Sequence, residues 1–156
     1  MIEPYEDYIS FLCQIPGVSI NSAITILSEI GADMNQFTST RRLTSWAGLT
    51  PSSNQSTGKK KSVRISRAGV YLKPCLVEVA HVAVKDKNHP YYANKFNKIS
   101  KRRGKKHAFI AIARKILVGA YHMLLTGKIW NPADLAEVET PVEQRIKYVN
   151  QILNNY

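Results

Sequence analysis

The chain has 156 residues, 44% of them hydrophobic, and a formal net charge of +11. This length fits one domain whose core needs neither a disulfide nor a metal. Because the sequence has no apolar run of 18 residues and no signal peptide, we expect a soluble, cytoplasmic protein without a membrane partner. The two cysteines, Cys13 and Cys75, lie far apart and predict free thiols.

Positive charge is concentrated in the middle of the chain. Residues 59–115 hold 17 of the 22 Lys and Arg but only two carboxylates, which gives a local charge of +15. Because such crowding is self-repulsive in a compact state, it predicts a polyanionic partner. Nucleic acid is the leading candidate. An anionic membrane is disfavoured, since no basic amphipathic helix carries Trp or Phe on its opposite face.

The N-terminal part predicts two short helices. Apolar residues have helical spacing over residues 5–14, and a Pro-Gly step then breaks the pattern. Ser19 or Asn21 can cap a second helix that ends at Gly31. The pattern over residues 11–37 is therefore that of a helix, a tight turn and a second helix.

Two interpretations of this first helix pair remain open. In a helix-hairpin-helix motif, Gly17 lets the backbone approach a DNA phosphate, which the N–H groups opening the second helix would face. In a simple αα-hairpin, Pro16 and Gly17 only turn the chain. The sequence does not decide between them.

A short helix capped by Thr38 or Ser39, with Trp46 in the core, comes before a basic, hydroxyl-rich loop. The loop, residues 48–69, reads GLTPSSNQSTGKKKSVRISRAG. Alternation around Val63 and Ile65 predicts one short strand or half of a hairpin. The cations of the loop are Lys59, Lys60, Lys61, Arg64 and Arg67. Such a loop is either a solvated surface segment or a binding site for the phosphate backbone of a nucleic acid.

Covalent phosphoryl transfer is chemically reasonable in this loop. It needs a hydroxyl nucleophile and nearby cations that hold the phosphate. Five serines satisfy this by proximity alone, namely Ser52, Ser53, Ser56, Ser62 and Ser66. No metal site is expected in the chain, because its four histidines lack ligand spacing and its carboxylates lie mostly at the two ends.

The remainder predicts a helical core over residues 70–130. One helix begins near Val70 with Pro74 in its first turn, and a second, YYANKFNKISKRR, follows a cap at Asn88 and ends at Gly104. A third helix covers Lys105 to Thr126. The cations Arg102, Arg103, Lys105 and Lys106 meet where these two helices join, and we predict that they bind nucleic acid. A C-terminal helix is predicted over residues 140–154.

Three ordered motifs carry a resemblance to a known family. They read IPGVSINSAITILSEIGADMNQF, GLTPSSNQSTGKKKSVRISRAGVYLKPCL and RGKKHAFIAIARKIL. Together they resemble the C-terminal transposase domain of the IS110/IS116/IS902 insertion-sequence family. The family pattern, roughly GL-x-P-x4-S-[GA]-G-K, falls on Ser56 as the catalytic serine. Where the family often has Arg, this chain has Lys73, which keeps the charge but not a bidentate phosphate grip.

The resemblance implies a two-part recombinase that acts on DNA with a guide-like non-coding RNA. Its N-terminal RuvC-like domain carries acidic Mg²⁺ ligands, and its C-terminal domain supplies the serine. We expect residues 1–156 to be a single C-terminal transposase domain without the RuvC-like domain and without its own cofactor. A homo-oligomer is also expected, because synapsis of DNA ends needs more than one protomer.

The sequence thus predicts an all-α, mainly helical fold with a helix-hairpin-helix-like part and a basic loop or short β-hairpin. The leading hypothesis for the function is DNA strand cleavage and rejoining through a phosphoseryl-DNA intermediate. We expect this chain to be inactive without the RuvC-like domain. The alternative is a non-catalytic helix-hairpin-helix nucleic-acid-binding module, in which Ser56 is ordinary loop. A ribosomal or RNA-binding protein is a third possibility.

Overall fold

The structure is a computed structural model that describes residues 5–49, 55–56, 59–60 and 67–131. Its helices are α1 (Glu6–Leu12), α2 (Ile20–Ile30), α3 (Thr40–Trp46), α4 (Arg67–Lys85), α5 (Tyr91–Arg103) and α6 (Lys105–Thr126), with a 3-10 turn at Met34–Gln36. Strands β1 (Gln55–Ser56) and β2 (Lys59–Lys60) form an antiparallel pair. The predicted mainly helical fold is confirmed. The predicted C-terminal helix, 140–154, and the strand predicted around Val63 and Ile65 lie outside the described residues.

Several helix ends follow from local sequence. The Ser19 hydroxyl accepts a hydrogen bond from the Ser22 amide and caps α2, and the Ser39 hydroxyl accepts one from the Arg42 amide and caps α3. These bonds satisfy backbone donors that a helix N-terminus otherwise leaves open. Gly127 ends α6 in the left-handed conformation, which glycine adopts without a Cβ clash.

Helix α6 is the centre of the fold. It packs against α4 and α5 most extensively and also against α1 and α3. Its fully buried side chains include Ile112, Ile116 and Leu117. By length and hydropathy alone α6 would also suit a membrane span, but a core helix passes the same test, and half of its most apolar stretch is buried among the other helices.

Helix α4 begins three residues earlier than predicted. Its first residue is Arg67 rather than Val70, so Pro74 lies in the helix interior instead of the first turn. An interior proline removes a backbone hydrogen bond and costs about 3 kcal/mol in a helix. Pro74 is exposed, whereas Leu72 and Leu76 are fully buried on the other side of α4. Burial of that apolar face keeps the helix continuous through the proline.

The turn before α5 differs from the predicted asparagine cap. No side chain caps α5, and Pro90 occupies the N-cap position. Asp86 organises the turn instead, because its carboxylate accepts a hydrogen bond from the Asn88 amide at 2.9 Å and contacts the His89 ring at 3.0 Å. These bonds hold the pKa of Asp86 below its usual value.

Candidate nucleic-acid interface

The backbone sets the predicted catalytic serine directly opposite a lysine. In the β1–β2 pair, Ser56 pairs with Lys59 and Gln55 pairs with Lys60. Directly opposite residues of an antiparallel pair are the closest cross-strand neighbours. Of the other loop cations, Arg67 is the first residue of α4, while Lys61 and Arg64 lie outside the described residues. The predicted roles of these residues stay predictions.

Gly17 faces the protein's own helix α4. It has a φ of +88°, and a Cβ built on it would lie 2.6 Å from the Val79 carbonyl oxygen and 2.8 Å from the Ala83 amide nitrogen. The close approach that requires a glycine here is therefore an internal packing contact. This packing contact is sufficient to explain a glycine in the turn of an αα-hairpin, and no DNA phosphate is needed to explain it. A DNA contact at Gly17 stays a prediction.

The join between α5 and α6 exposes four of the predicted nucleic-acid-binding side chains. We call Arg102, Arg103, Lys105 and Lys106 the basic turn; all four are exposed. Gly104, between the two pairs, has a φ of +87°, and no atom lies within 4 Å of where its Cβ would be. The backbone here is thus open to an approaching ligand.

Helix electrostatics separate the two halves of the basic turn. Arg102 and Arg103 lie in the last turn of α5, where cations are stabilised by the helix dipole. Lys105 and Lys106 open α6, where cations are disfavoured, and no side chain caps that helix. Helix stability therefore does not explain two lysines at this position, and their predicted role in binding nucleic acid stays a prediction.

A second pair of lysines lies on the same two helices. Lys95 of α5 has its Nζ 5.8 Å from the centre of the Tyr91 ring, and Lys115 of α6 is half-buried. Burial, together with the nearby charges of Lys95 and Arg114, lowers the pKa of Lys115 to about 8. Lys95 and Lys115 thus lie on neighbouring helices, and the charge of Lys95 contributes to the lowered pKa of Lys115.

Sequence reasoning missed this lysine pair, although a signal exists. Residues 87–131 contain eleven Lys and Arg and no Asp or Glu. On α5, Lys95, Lys98 and Arg102 are spaced at three and four residues, which places them on one face of the helix. The acid-free run and this spacing together extend the basic turn along the α5–α6 hairpin.

A hydrogen bond between two aromatic side chains fixes the segment after α6. Trp130 donates a hydrogen bond from Nε1 to the Tyr92 hydroxyl at 3.2 Å, which holds the segment after α6 against α5. Burial raises the pKa of the Tyr92 hydroxyl well above its usual value. Lys73, predicted to bind nucleic acid, is half-buried on α4.

Among the described residues, the two thiols are free and the carboxylates form no metal-binding group. Cys13 and Cys75 are free, as predicted, and burial raises the pKa of both thiols. Within the described ranges, no three His, Cys, Asp or Glu side chains are grouped so that they could hold a metal ion.

These features define a small, mainly helical, strongly basic domain built around a central helix. The family model described as "Transposase IS116/IS110/IS902 family" matches residues 9–97. The chain therefore belongs to this family of insertion-sequence transposases. It is also 31% identical over 109 residues to the transposase for insertion sequence element IS1111A of Coxiella burnetii (strain RSA 493 / Nine Mile phase I), across 65% of this chain and 28% of that protein. No solved structure matches the chain.

The matched region runs from the middle of α1 through α2, α3, the β1–β2 pair and α4 to the middle of α5. The basic turn lies beyond it. The chain spans about a quarter of the length of the curated relative that it matches, so the activity and partners of a whole transposase are matters for proposal.

Proposed function

We propose that this chain is the DNA-binding, serine-bearing domain of a transposase that cuts and rejoins DNA through a phosphoseryl intermediate. The observation that carries the proposal is the β1–β2 register, which sets Ser56 opposite Lys59 inside the region matched by the family model. Nucleophilic attack on a phosphodiester requires a hydroxyl and cations that can reach the phosphate, and this backbone register brings a serine and a lysine to opposite positions of one strand pair.

The proposed step uses the chain's own residues as follows. The Ser56 oxygen attacks a DNA phosphorus and loses its proton, a new P–O bond forms, and one bridging P–O bond breaks. The released DNA hydroxyl takes up a proton. Lys59, Lys60, Arg64 and Arg67 would stabilise the negative charge that builds up on the non-bridging oxygens. Rejoining is the reverse attack by a DNA hydroxyl.

The described residues do not fit a Mg²⁺ site, because they contain no group of carboxylates that could bind one. We therefore assign Mg²⁺ to the carboxylates of a RuvC-like domain and derive no step through it here. DNA backbone binding is assigned to the basic turn, whose four exposed cations suit phosphate contacts. The same surface would suit a guide RNA, and pairing of DNA ends would require a homo-oligomer.

A non-catalytic nucleic-acid-binding module remains the second candidate. One observation favours it: the basic turn forms an exposed cationic surface on α5 and α6 without any contribution from Ser56. Under this alternative, DNA binding would survive loss of the serine and no covalent adduct would form.

The test joins this domain to a RuvC-like domain of the family and looks for a covalent protein–DNA adduct on a denaturing gel. The proposal expects an adduct with the wild type and with the Ser53→Ala control, and none with Ser56→Ala. DNA cutting without any adduct would support the non-catalytic alternative for this domain. Loss of the adduct in Ser53→Ala rather than Ser56→Ala would overturn the assignment of the nucleophile.

A further inference from the structure

Three aromatic rings on α4, α5 and α6 form a series of contacts that leads from the core to the surface. Phe96 of α5 is buried, and its ring centre lies 4.4 Å from that of Phe109 on α6. The Phe109 ring stacks on the ring of His81 on α4, with 3.7 Å between the ring centres and 10° between the planes. We call these three residues the ring stack. Its outermost member, His81, is exposed.

Two contacts hold the His81 ring in place. Phe109 covers one face of the ring, and Nδ1 donates a hydrogen bond to the Val77 carbonyl oxygen at 2.8 Å, one turn earlier on α4. The surface that is left for a ligand is therefore the opposite face and the Nε2 edge. Because the ring is already oriented, a ligand that stacks on it loses less affinity to the ordering of the side chain.

Cations lie one helical turn from the outer rings of the ring stack. Lys105 precedes Phe109 by four residues on α6, and Lys85 follows His81 by four residues on α4; both lysines are exposed. Residues four apart lie on the same side of a helix, about 6 Å apart along its axis. Glu78 lies three residues before His81, in the direction away from Lys85. An aromatic face with cations nearby is the combination with which proteins bind single-stranded nucleic acid.

We propose that the open face of His81 is a stacking site for an unpaired nucleobase of a single strand, whose phosphates contact Lys105 and Lys85. The inference rests on the proposed nucleic-acid binding, and it adds a base contact to the phosphate contacts assigned to the basic turn. Every base has a face that can stack on an aromatic ring, so the site recognises an unpaired conformation and not a sequence. Bases within a duplex are stacked on each other and do not reach it.

The experiment measures binding of two fluorescent strands of about 12 nucleotides by the whole chain, a length that suits single-strand binding sites. One strand is oligothymidylate, and the other has the same length and charge but no bases. The wild type should bind the thymidine strand about tenfold more tightly than the abasic strand. His81→Ala should lose most of this preference, whereas His81→Phe, which keeps an aromatic face, should retain it. His107→Ala is the matched control, because His107 is also exposed and lies beside the basic turn.

Salt dependence separates the base contact from the phosphate contacts. His81→Ala should lower affinity for the thymidine strand about tenfold without changing the slope of log affinity against log salt, because ring stacking releases no counterions. Lys105→Gln should lower that slope by about 0.7, the value for one lost phosphate contact on a single strand. A uridine strand of equal length distinguishes DNA from RNA as the source of the base. An equal effect of His81→Ala on both strands, or a larger effect on one of them, supports the stacking site.

Three outcomes would overturn the inference. If the wild type binds the thymidine and abasic strands equally, or if His81→Ala keeps the preference, no base stacks on His81. If His81→Phe loses the preference as His81→Ala does, an aromatic face is not what the strand binds. In each case the strands still bind through phosphate contacts. If the wild type binds neither single strands nor duplex, the proposed function itself fails, so the two failures are distinguishable.

Discussion

Two helix–glycine–helix turns in this protein look alike in sequence but differ in structure. At the first, between α1 and α2, Gly17 lies against Val79 and Ala83 of α4. At the second, between α5 and α6, Gly104 has open space where a side chain would be, and four cations flank it. Both glycines have a positive φ. The comparison shows that a glycine turn marks a tight bend, while its surroundings decide whether a ligand can reach it.

The sharpest test of this contrast is alanine at each glycine. Gly17→Ala combines an unfavourable φ with overlap against the α4 backbone, so it should lower the free energy of unfolding by about 3 kcal/mol. Gly104→Ala carries only the backbone strain and should cost about 1 kcal/mol. Urea unfolding of both variants measures the difference. Equal losses would mean that Gly17 is not packed against α4.

The positive charge of Lys115 should make the α5–α6 hairpin less stable. Lys115→Met removes a half-buried cation while keeping the apolar stem, and we expect a gain of about 1 kcal/mol at pH 7 after allowing for solvent screening. The folded pKa of Lys115, about 8, is below its ordinary value, so its charge costs stability at pH 7 and the cost disappears as the pH rises from 8 toward 10.5. Urea unfolding at pH 7 and pH 10.5 checks this, and a gain that persists undiminished at pH 10.5 would contradict it.

A smaller effect is expected where α6 begins. Lys106→Glu replaces a cation at a helix N-terminus with an anion and should raise the free energy of unfolding by about 0.5 kcal/mol, while it weakens DNA binding. Lys128→Glu, the matched change beyond the C-terminus of α6, should lower stability slightly and leave DNA binding nearly unchanged. Thermal unfolding and duplex binding of both variants give the comparison; stability changes of the same sign would argue against the dipole explanation.

Local sequence was sufficient for much of the fold. Caps at Ser19 and Ser39 and the glycines after α2, α5 and α6 mark helix ends through interactions within a few residues. The start of α4 could not be predicted in this way, since a helix through Pro74 is stable only when its apolar face is buried by distant parts of the chain.

In the candidate site, too, some features could be predicted from local sequence and others could not. The basic turn is contiguous in sequence, so its cations could be found from charge alone. The environments of Gly17 and Lys115 depend on residues 62 and 20 positions away, Val79 and Lys95, which only packing brings close. A glycine in a turn and a lysine in a helix carry no local sign of such neighbours.

The most direct test of the account compares two variants that each lose four charges. One replaces all four cations of the basic turn by Gln, and the other replaces the exposed Arg41, Arg42, Lys87 and Lys128 by Gln. Duplex binding is measured over a range of salt concentrations. The account predicts that the first variant lowers the slope of log affinity against log salt by up to about 3.6, since each lost phosphate contact contributes about 0.9, and that the second leaves it almost unchanged. Equal losses in the two variants would show that DNA responds only to net charge, and would contradict a nucleic-acid interface at the basic turn.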